Sequence, residues 1–349
     1  MTIRSILTTV IAALALLTAP ANAKPPSNGL QFLGQAIIPT GTVFQGTTVG
    51  GLSSITYDER RGVYYTVSDD PAAVRYYTVG VDLRDGRLSD GDVQFKGVTS
   101  LLAPGGGPYA PTSIDPEGLV LTKDRELILT SEGYAQNQVD PFVRRYSLDG
   151  RFRGDLPVPA AFLTTADQSR GVRPNLGFES AGVFGNSLFV AAENAVYQDG
   201  PAATIANGSP ARILRYSART GRVERERIYQ TDPVAQPPVP ATAFSVNGLV
   251  ELLPLNQEFV IAMERSFSVG APGTGNTIKL YGVSLSGRHV RKTLLLNLDR
   301  LGIPLDNVEG LTFGPRLRDG RQTLVLVSDN NFAATQFTQF LAFAVGRGH

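Results

Sequence analysis

The 349-residue sequence contains no cysteine and only two histidines, His289 and His349. Without cysteine the fold cannot depend on disulfide bonds, so packing and hydrogen bonding must stabilise it. The scarcity of both residue types excludes zinc and blue-copper sites of the usual kinds. A Ser-His-Asp triad would have to recruit one of the two histidines, and we expect His289 to be a solvated turn residue. No Gly-x-Ser-x-Gly or Gly-x-x-x-x-Gly-Lys motif is present, which argues against a hydrolase nucleophile elbow and a nucleotide phosphate loop.

Neither sign of charge dominates the sequence, which has 32 basic and 31 acidic residues. A balanced charge gives no overall field that would attract nucleic acid or an anionic membrane surface. We therefore expect no nucleic-acid partner and no stable attachment to a membrane. The protein is expected to be a monomer whose partner is a small ester or anionic ligand.

The amino terminus has the pattern of an export signal. Arg4 precedes an apolar run from Ile6 to Leu17, and Ala21-Asn22-Ala23 follows as a small-residue cleavage site. The run is short for a membrane span, although a retained membrane anchor is the alternative. We predict a signal peptide over 1–23, a single mature domain over 24–349, and a secreted or periplasmic location.

The mature sequence repeats one motif five times. Four copies begin with a Gly-Leu pair that follows a Gly, Glu or Asn, and the third begins with Glu179-Ser180-Ala181. Each copy continues to an acidic residue at the end of the next apolar run. The copies begin at Gly50, Glu117, Glu179, Asn247 and Glu309, so successive steps are 67, 62, 68 and 62 residues. A period of this length, filled with short apolar runs and turn residues, is typical of a β-propeller.

Each repeat contains strand-like runs for one four-stranded blade. The last repeat ends after its third run, at Phe340 to Val345, whereas Leu30 to Ile38 is a strand-like run without a repeat of its own. Adding this amino-terminal strand to the last blade would join the chain ends and remove open edges. The sequence therefore predicts an all-β propeller of five four-stranded blades closed by the amino-terminal strand, with six blades as the alternative. An aromatic residue recurs in the third run of each repeat, and we expect it to pack between blades.

Strand direction predicts where the acidic residues meet. The first two strands of a blade are antiparallel, so the start of the first and the end of the second lie at the same end of the blade. Because the first strands surround the central channel, their leading carboxylates should converge near its mouth. The candidate metal ligands are Asp69, Glu117, Glu132, Glu179, Glu193, Asn247, Glu264, Glu309 and Asp329.

So many like charges at short range require compensation. A hard cation such as Ca²⁺ is one solution, since carboxylate and amide oxygens are its preferred ligands. Pairing with Arg75, Arg144, Arg265 or Lys279 is a second, and ordered water with raised pKa values is a third. The carboxylates can equally accept backbone N–H groups and hold neighbouring blades together.

Several of these motifs resemble those of the bacterial phytase-like family, described as "esterase-like activity of phytase". The motifs are Gly51 to Asp58, Asp115-Pro116-Glu117-Gly118-Leu119, Asn307-Val308-Glu309-Gly310-Leu311 and Ser328-Asp329-Asn330-Asn331, and the resemblance covers nearly the whole mature chain. It implies an exported propeller that hydrolyses phosphoesters or carboxylic esters. Propeller phytases of similar architecture use several calcium ions.

Two functions follow from this combination. As an enzyme, the protein would be a Ca²⁺-dependent hydrolase of phosphate or carboxylate esters. Its ligands or bases would be Glu117, Glu179, Glu309 and Asp329, and its substrate clamps Arg75, Arg144 and Arg265. As a non-catalytic module, it would bind a partner of the periplasm or cell exterior and hold calcium for structural reasons.

Overall fold

The computed structural model describes residues 29–287 and 290–346, which form 22 β-strands and three short 3₁₀ helices. The predicted signal peptide and both histidines lie outside the described residues. Within those ranges, no helix is long and apolar enough to cross a membrane.

Five four-stranded antiparallel sheets account for most of the described strands. Blade 1 contains β4 (Leu52–Asp58), β5 (Val63–Ser68), β6 (Arg75–Val81) and β7 (Val93–Ser100). Blade 2 contains β8 (Pro116–Leu121), β9 (Glu126–Ser131), β10 (Phe142–Ser147) and β11 (Phe152–Leu156). Blade 3 contains β12 (Phe178–Phe184), β13 (Ser187–Ala192), β14 (Pro210–Ser217) and β15 (Val223–Gln230). Blade 4 contains β16 (Ser245–Pro254), β17 (Phe259–Ser268), β18 (Asn276–Ser284) and β19 (Arg291–Asn297).

Blade 5 joins the two ends of the chain, as the sequence predicts. It contains β20 (Asn307–Arg316), β21 (Gln322–Asp329), β22 (Thr338–Val345) and the amino-terminal strand β1 (Leu30–Ile38), which pairs with β22 as the outermost strand. A small hairpin, β2 (Val43–Phe44) and β3 (Thr47–Thr48), leads into blade 1. The prediction of five blades closed by the amino-terminal strand is confirmed, and the six-bladed alternative does not hold.

The innermost strands β4, β8, β12, β16 and β20 contact one another in cyclic order, so the blades form a closed ring. One hydrophobic cluster fills the space between each pair of neighbouring blades. Because both faces of a blade are covered, nearly all residues of the second strands are buried instead of alternating between buried and exposed, as in β5, β9, β13, β17 and β21. The recurring aromatic residues are buried in these clusters, namely Tyr77, Tyr146, Tyr216, Tyr281 and Phe343.

A buried glutamate connects four of the five blades inside the ring. Glu251, on β16, is only 2% exposed. Its carboxylate accepts hydrogen bonds from Ser54 Oγ of blade 1 at 3.0 Å and from its neighbour Leu252 N at 2.9 Å. The backbone N–H groups of Ala181 in blade 3 and Leu311 in blade 5 also lie near this carboxylate and lower its pKa. Burial raises the pKa of Glu251, and these donors act in the opposite direction.

Replacing Glu251 should therefore destabilise the ring as a whole. We expect Glu251→Ala to lower the free energy of unfolding by about 3 kcal/mol, because it leaves buried donors on four blades without an acceptor. The exposed Glu224 provides a matched control, and Glu224→Ala should change stability by less than about 0.5 kcal/mol. Urea denaturation of the mature protein measures both. Equal effects of the two substitutions would show that Glu251 does not hold the blades together.

Candidate functional site

A cavity of about 650 Å³ lies at the end of the ring where the innermost strands begin. Its lining is strongly acidic, and Arg265 is the single basic residue among the described residues that line it. The acidic residues are Asp69, Asp115, Glu117, Glu179, Glu193, Asp306, Glu309 and Asp329. The predicted convergence of carboxylates at one mouth of the channel is therefore present in the structure.

Three of the glutamates occupy β-bulges at the start of an innermost strand. The pairing of β8, β12 and β20 with the neighbouring strand shifts register at Glu117, Glu179 and Glu309. A bulge inserts an extra residue into one strand and redirects its side chain. Here it directs three glutamates from blades 2, 3 and 5 towards one cavity.

In blades 1 and 4 the bulge follows the Gly-Leu pair of the repeat, at Ser53 and at Val250. Asn247 consequently lies in regular pairing opposite Ser266, and its amide donates to Glu264 Oε2 at 2.8 Å. The Glu264 carboxylate also pairs with Lys292 and accepts from Tyr229 Oη at 2.7 Å. Neither Asn247 nor Glu264 lines the cavity in the described structure, because the later bulge leaves them in a separate ion-pair network.

The three predicted substrate clamps are widely separated. Arg265 lines the cavity and its Nη2 lies 2.8 Å from Glu309 Oε1 and 3.7 Å from Glu193 Oε1. Arg75 instead pairs with Asp70 at 2.7 Å and donates to Thr48 O, which holds the β2–β3 hairpin.

Arg144 pairs with Asp155 at 2.7 Å on the neighbouring strand β11. Lys279, the fourth predicted counter-charge, pairs with Asp232 at 3.1 Å. Local carboxylates thus retain Arg75, Arg144 and Lys279 outside the cavity, and Arg265 alone of the four reaches it.

Two groups of carboxylates are close enough to share a cation. Oxygens of Asp115, Glu117 and Glu132 lie within 4.8 Å of one another, and the same holds for Glu132, Glu179 and Glu193. Glu132 belongs to both groups. Its Oε1 accepts from Gly177 N at 3.0 Å, whereas its Oε2 is buried and has no hydrogen-bond partner among the described residues. Within the same ranges, Glu193 Oε1 and Asp69 Oδ1 are also buried without a hydrogen bond.

Two glycines make room for these carboxylates. A Cβ atom at Gly248 would lie 2.0 Å from Glu193 Oε1, and one at Gly51 would lie 1.8 Å from Asp69 Oδ1. Both distances are far shorter than any van der Waals contact. The Gly-Leu pairs of the repeat thus leave space for the acidic residues as well as marking the start of the innermost strand.

Burial and mutual repulsion make the carboxylates hard to ionise. Burial is the main cause that raises the pKa of Glu132 to about 8 and of Glu193 to about 7. Burial and neighbouring carboxylates raise the pKa of Asp69 to about 7 and of Asp115 to about 6. The pKa of Glu179 is raised by burial and then by Glu132, whose side chain lies within hydrogen-bonding reach. Ionising the whole set at neutral pH requires a compensating positive charge.

The sequence profile of one protein family, described as "Phytase-like: Esterase-like activity of phytase", matches residues 47–332. The chain belongs to the phytase-like family. The family resemblance predicted from the sequence is thereby confirmed, and the matched region spans the cavity residues from Asp69 to Asp329.

Comparison of this phytase-like propeller with solved structures gives matches of low sequence identity. The α-L-arabinofuranosidase PaAbf62A from Podospora anserina matches with a TM-score of 0.49 and 10% identity, over 92% of this chain and 98% of that one. The endo-arabinase from Bacteroides thetaiotaomicron VPI-5482 matches with a TM-score of 0.47 and 12% identity, over 88% and 96%. The Dos1 propeller matches with a TM-score of 0.39 and 6% identity, over 92% and 94%. Comparison with curated proteins gives no match.

Sequence reasoning missed two acidic residues of the phytase-like cavity, Asp115 and Asp306. Asp115 is the first residue of the Asp115-Pro116-Glu117 motif, and Asp306 immediately precedes the Asn307-Val308-Glu309 motif. Asp306 accepts the backbone N–H of Asn307 at 2.7 Å, so it fixes the entry to β20. An acidic residue two or three positions before the repeated Glu was therefore an available signal.

The raised pKa values predict a stability that falls with increasing pH when no cation is present. Glutamate has a pKa of about 4.3 in an unfolded chain, so between about pH 5 and 8 the folded protein binds more protons than the unfolded one. The free energy of unfolding then decreases as pH rises, by about 1.4 kcal/mol for each unit of pKa difference in one group. Urea denaturation in EDTA at pH 5.5, 6.5, 7.5 and 8.5 (roughly spanning this window) measures the slope.

Glu132→Gln removes one titrating group and should reduce that slope. Asp124→Asn, at an exposed turn, is the matched control and should leave it unchanged. A stability that stays constant or increases with pH in EDTA would contradict the prediction.

Gly248 offers a test of how closely the Glu193 carboxylate is held. Gly248→Ala should lower the free energy of unfolding by about 2 kcal/mol, because the new methyl group must displace a buried carboxylate. Gly107 has open space around its Cβ position, so Gly107→Ala should be nearly neutral. Thermal denaturation of the two variants gives the comparison, and equal melting temperatures would show that Glu193 moves without cost.

Proposed function

We propose that the acidic cavity binds Ca²⁺ and that the protein hydrolyses carboxylic or phosphoric esters there. The observation that supports this proposal is the pair of carboxylate groups sharing Glu132, in which Glu132 Oε2 and Glu193 Oε1 are buried without a hydrogen-bond partner. Buried polar atoms are nearly always hydrogen-bonded, so neighbouring carboxylate oxygens that accept no hydrogen bond from the described residues favour a further positive charge beside them.

The chemistry of the donor set fits calcium. All of the candidate ligands described in the cavity are oxygen donors, and the Asp115, Glu117 and Glu132 group together with the Glu179 and Glu193 pair provides them. Ca²⁺ takes six to eight oxygen ligands in flexible geometry, at about 2.3–2.6 Å. Arg265 neutralises Glu309 and approaches Glu193, which leaves the charge on Glu117, Glu132 and Glu179 for the cation.

Bound Ca²⁺ would supply Lewis-acid polarisation of an ester or phosphoryl oxygen. The chain's own residues have separate tasks. Glu117, Glu132 and Glu179 would hold the cation, and Arg265 pairs with Glu309 beside them. Asp69 is half-buried, and its Oδ1 accepts no hydrogen bond among the described residues. It is our candidate to take the proton of an attacking water.

Calcium titration followed by thermal melting and an ester panel tests the proposal in one preparation. Protein treated with EDTA should gain about 2.7 kcal/mol of stability at a calcium concentration 100 times the dissociation constant. Turnover of 4-nitrophenyl acetate, 4-nitrophenyl phosphate or phytate should appear only with Ca²⁺. Glu132→Gln should lose both effects, whereas Asp124→Asn should keep both.

The outcomes separate the enzyme from the alternative function. Stabilisation by calcium without turnover of any ester would favour the non-catalytic binding module, in which calcium only joins the blades. The hydrogen bond from Gly177 N to Glu132 Oε1 already links blades 2 and 3 without a cation. If millimolar calcium produced no stabilisation and no turnover, the proposal would be overturned entirely.

A further inference from the structure

An exposed apolar patch lies beside the acidic cavity, on blade 4. Phe244, Val239 and Val269 are 63%, 62% and 40% exposed, and they form what we call the Phe244 patch. Single exposed apolar residues are normal on protein surfaces. Here three of them adjoin one another, and Phe244 itself lines the cavity. The patch continues into the cavity wall through Phe267 and Val246, which also line it.

The backbone beneath the patch is fixed although its side chains reach solvent. Val239 N donates to Val269 O at 2.8 Å, and Val269 N donates to Phe244 O at 3.0 Å. The ring of Phe244 lies 6.3 Å from that of Phe267, centroid to centroid. An aromatic platform on an ordered backbone loses little conformational freedom when a ligand covers it.

The charges of the cavity select against a polyanionic ligand. Eight acidic residues and one arginine line the described cavity, and that arginine already pairs with Glu309 at 2.8 Å. A molecule with many phosphate groups would meet carboxylates on most sides. A neutral molecule avoids this repulsion, and an apolar portion of it would find the Phe244 patch directly beside the carboxylates.

We propose that the Phe244 patch binds the apolar portion of a neutral carboxylic ester, so that the preferred substrate is an acyl ester and not a polyphosphate. This inference depends on the proposed ester hydrolysis at the carboxylate groups. In that reaction water adds to the acyl carbon and the acyl–oxygen bond breaks, which yields a carboxylic acid and an alcohol. Phe244 acts as a specificity-determining residue, because it contacts the substrate away from the reacting bond.

A chain-length series of esters tests the subsite. The substrates are 4-nitrophenyl acetate, butyrate and hexanoate, with 4-nitrophenyl phosphate and phytate for comparison, all in calcium. In the unmodified protein kcat/KM should rise at least tenfold from acetate to hexanoate, since each added CH₂ buries more apolar surface. Phe244→Ala should lower kcat/KM for the hexanoate about tenfold, mainly through KM, and leave the acetate within about twofold.

Two controls distinguish loss of the subsite from other damage. Leu294 is 43% exposed on β19 and lies away from the cavity lining, so Leu294→Ala should match the unmodified protein. The calcium-induced rise in melting temperature should be the same in Phe244→Ala as in the unmodified protein. A smaller rise would show that Phe244 supports the cation site, and this would contradict its assignment to the apolar portion of the ester.

The results also separate this inference from the proposed function. Two results would overturn the subsite but not the proposed ester hydrolysis. One is faster hydrolysis of phytate or 4-nitrophenyl phosphate than of the acyl esters. The other is an equal loss of kcat/KM for all chain lengths in Phe244→Ala. If no ester is hydrolysed, calorimetric titration with the unreactive 4-nitrophenyl hexyl ether tests the subsite directly. Binding that Phe244→Ala weakens about tenfold would support the subsite, and equal binding or none would overturn it.

Discussion

Closure of the ring brings the beginnings of five innermost strands onto one small circle. In three blades the residue at that position is a glutamate in a β-bulge, and the neighbouring strand ends add Asp69, Glu132, Glu193 and Asp329. The same geometry that buries five hydrophobic clusters between the blades therefore forces carboxylates together at one mouth. Any function at this end of the channel requires that the repulsion between these carboxylates is compensated.

The buried glutamates of the ring differ in whether the protein supplies hydrogen-bond donors to all of their carboxylate oxygens. Glu251 is surrounded by donors from Ser54, Leu252, Ala181 and Leu311, so the protein itself satisfies its carboxylate. Glu132 and Glu193 each retain a buried oxygen without a hydrogen bond. A purely structural role requires only that the protein's own donors satisfy the carboxylate, as they do for Glu251. The second arrangement, at Glu132 and Glu193, favours an external positive charge, and for this reason we propose the cavity, and not the Glu251 cluster, as the functional site.

The regular features of the fold were predictable because they repeat. Five motifs at nearly constant spacing predicted five blades, and the unassigned strand at Leu30 to Ile38 predicted the closure of blade 5. The convergence of Glu117, Glu179 and Glu309 followed from strand direction alone. Each of these predictions rests on local periodicity and chain geometry, which the sequence carries directly.

The exceptions depend on contacts that the sequence does not carry. Asn247-Gly248-Leu249 reads like Glu309-Gly310-Leu311, yet the bulge of blade 4 falls at Val250, so Asn247 turns towards Glu264. Arg75 and Arg144 occupy the expected strand positions but pair with Asp70 and Asp155 beside them. Which of several neighbouring carboxylates a side chain contacts depends on distances of a few ångströms, and the sequence does not show these distances. Phe244, in a loop after a proline-rich connection, carried no signal until the cavity beside it was visible.

The central claim is that the carboxylates around Glu132 bind Ca²⁺. A crystal structure of protein crystallised with calcium, determined with anomalous diffraction data, tests this claim most directly. The account predicts an anomalous peak beside the carboxylate of Glu132, which belongs to both carboxylate groups, with coordinating carboxylate oxygens at about 2.3–2.6 Å. Glu132 and Glu179 joined to each other by a shared proton, with no anomalous peak among the carboxylates at millimolar calcium, would contradict it.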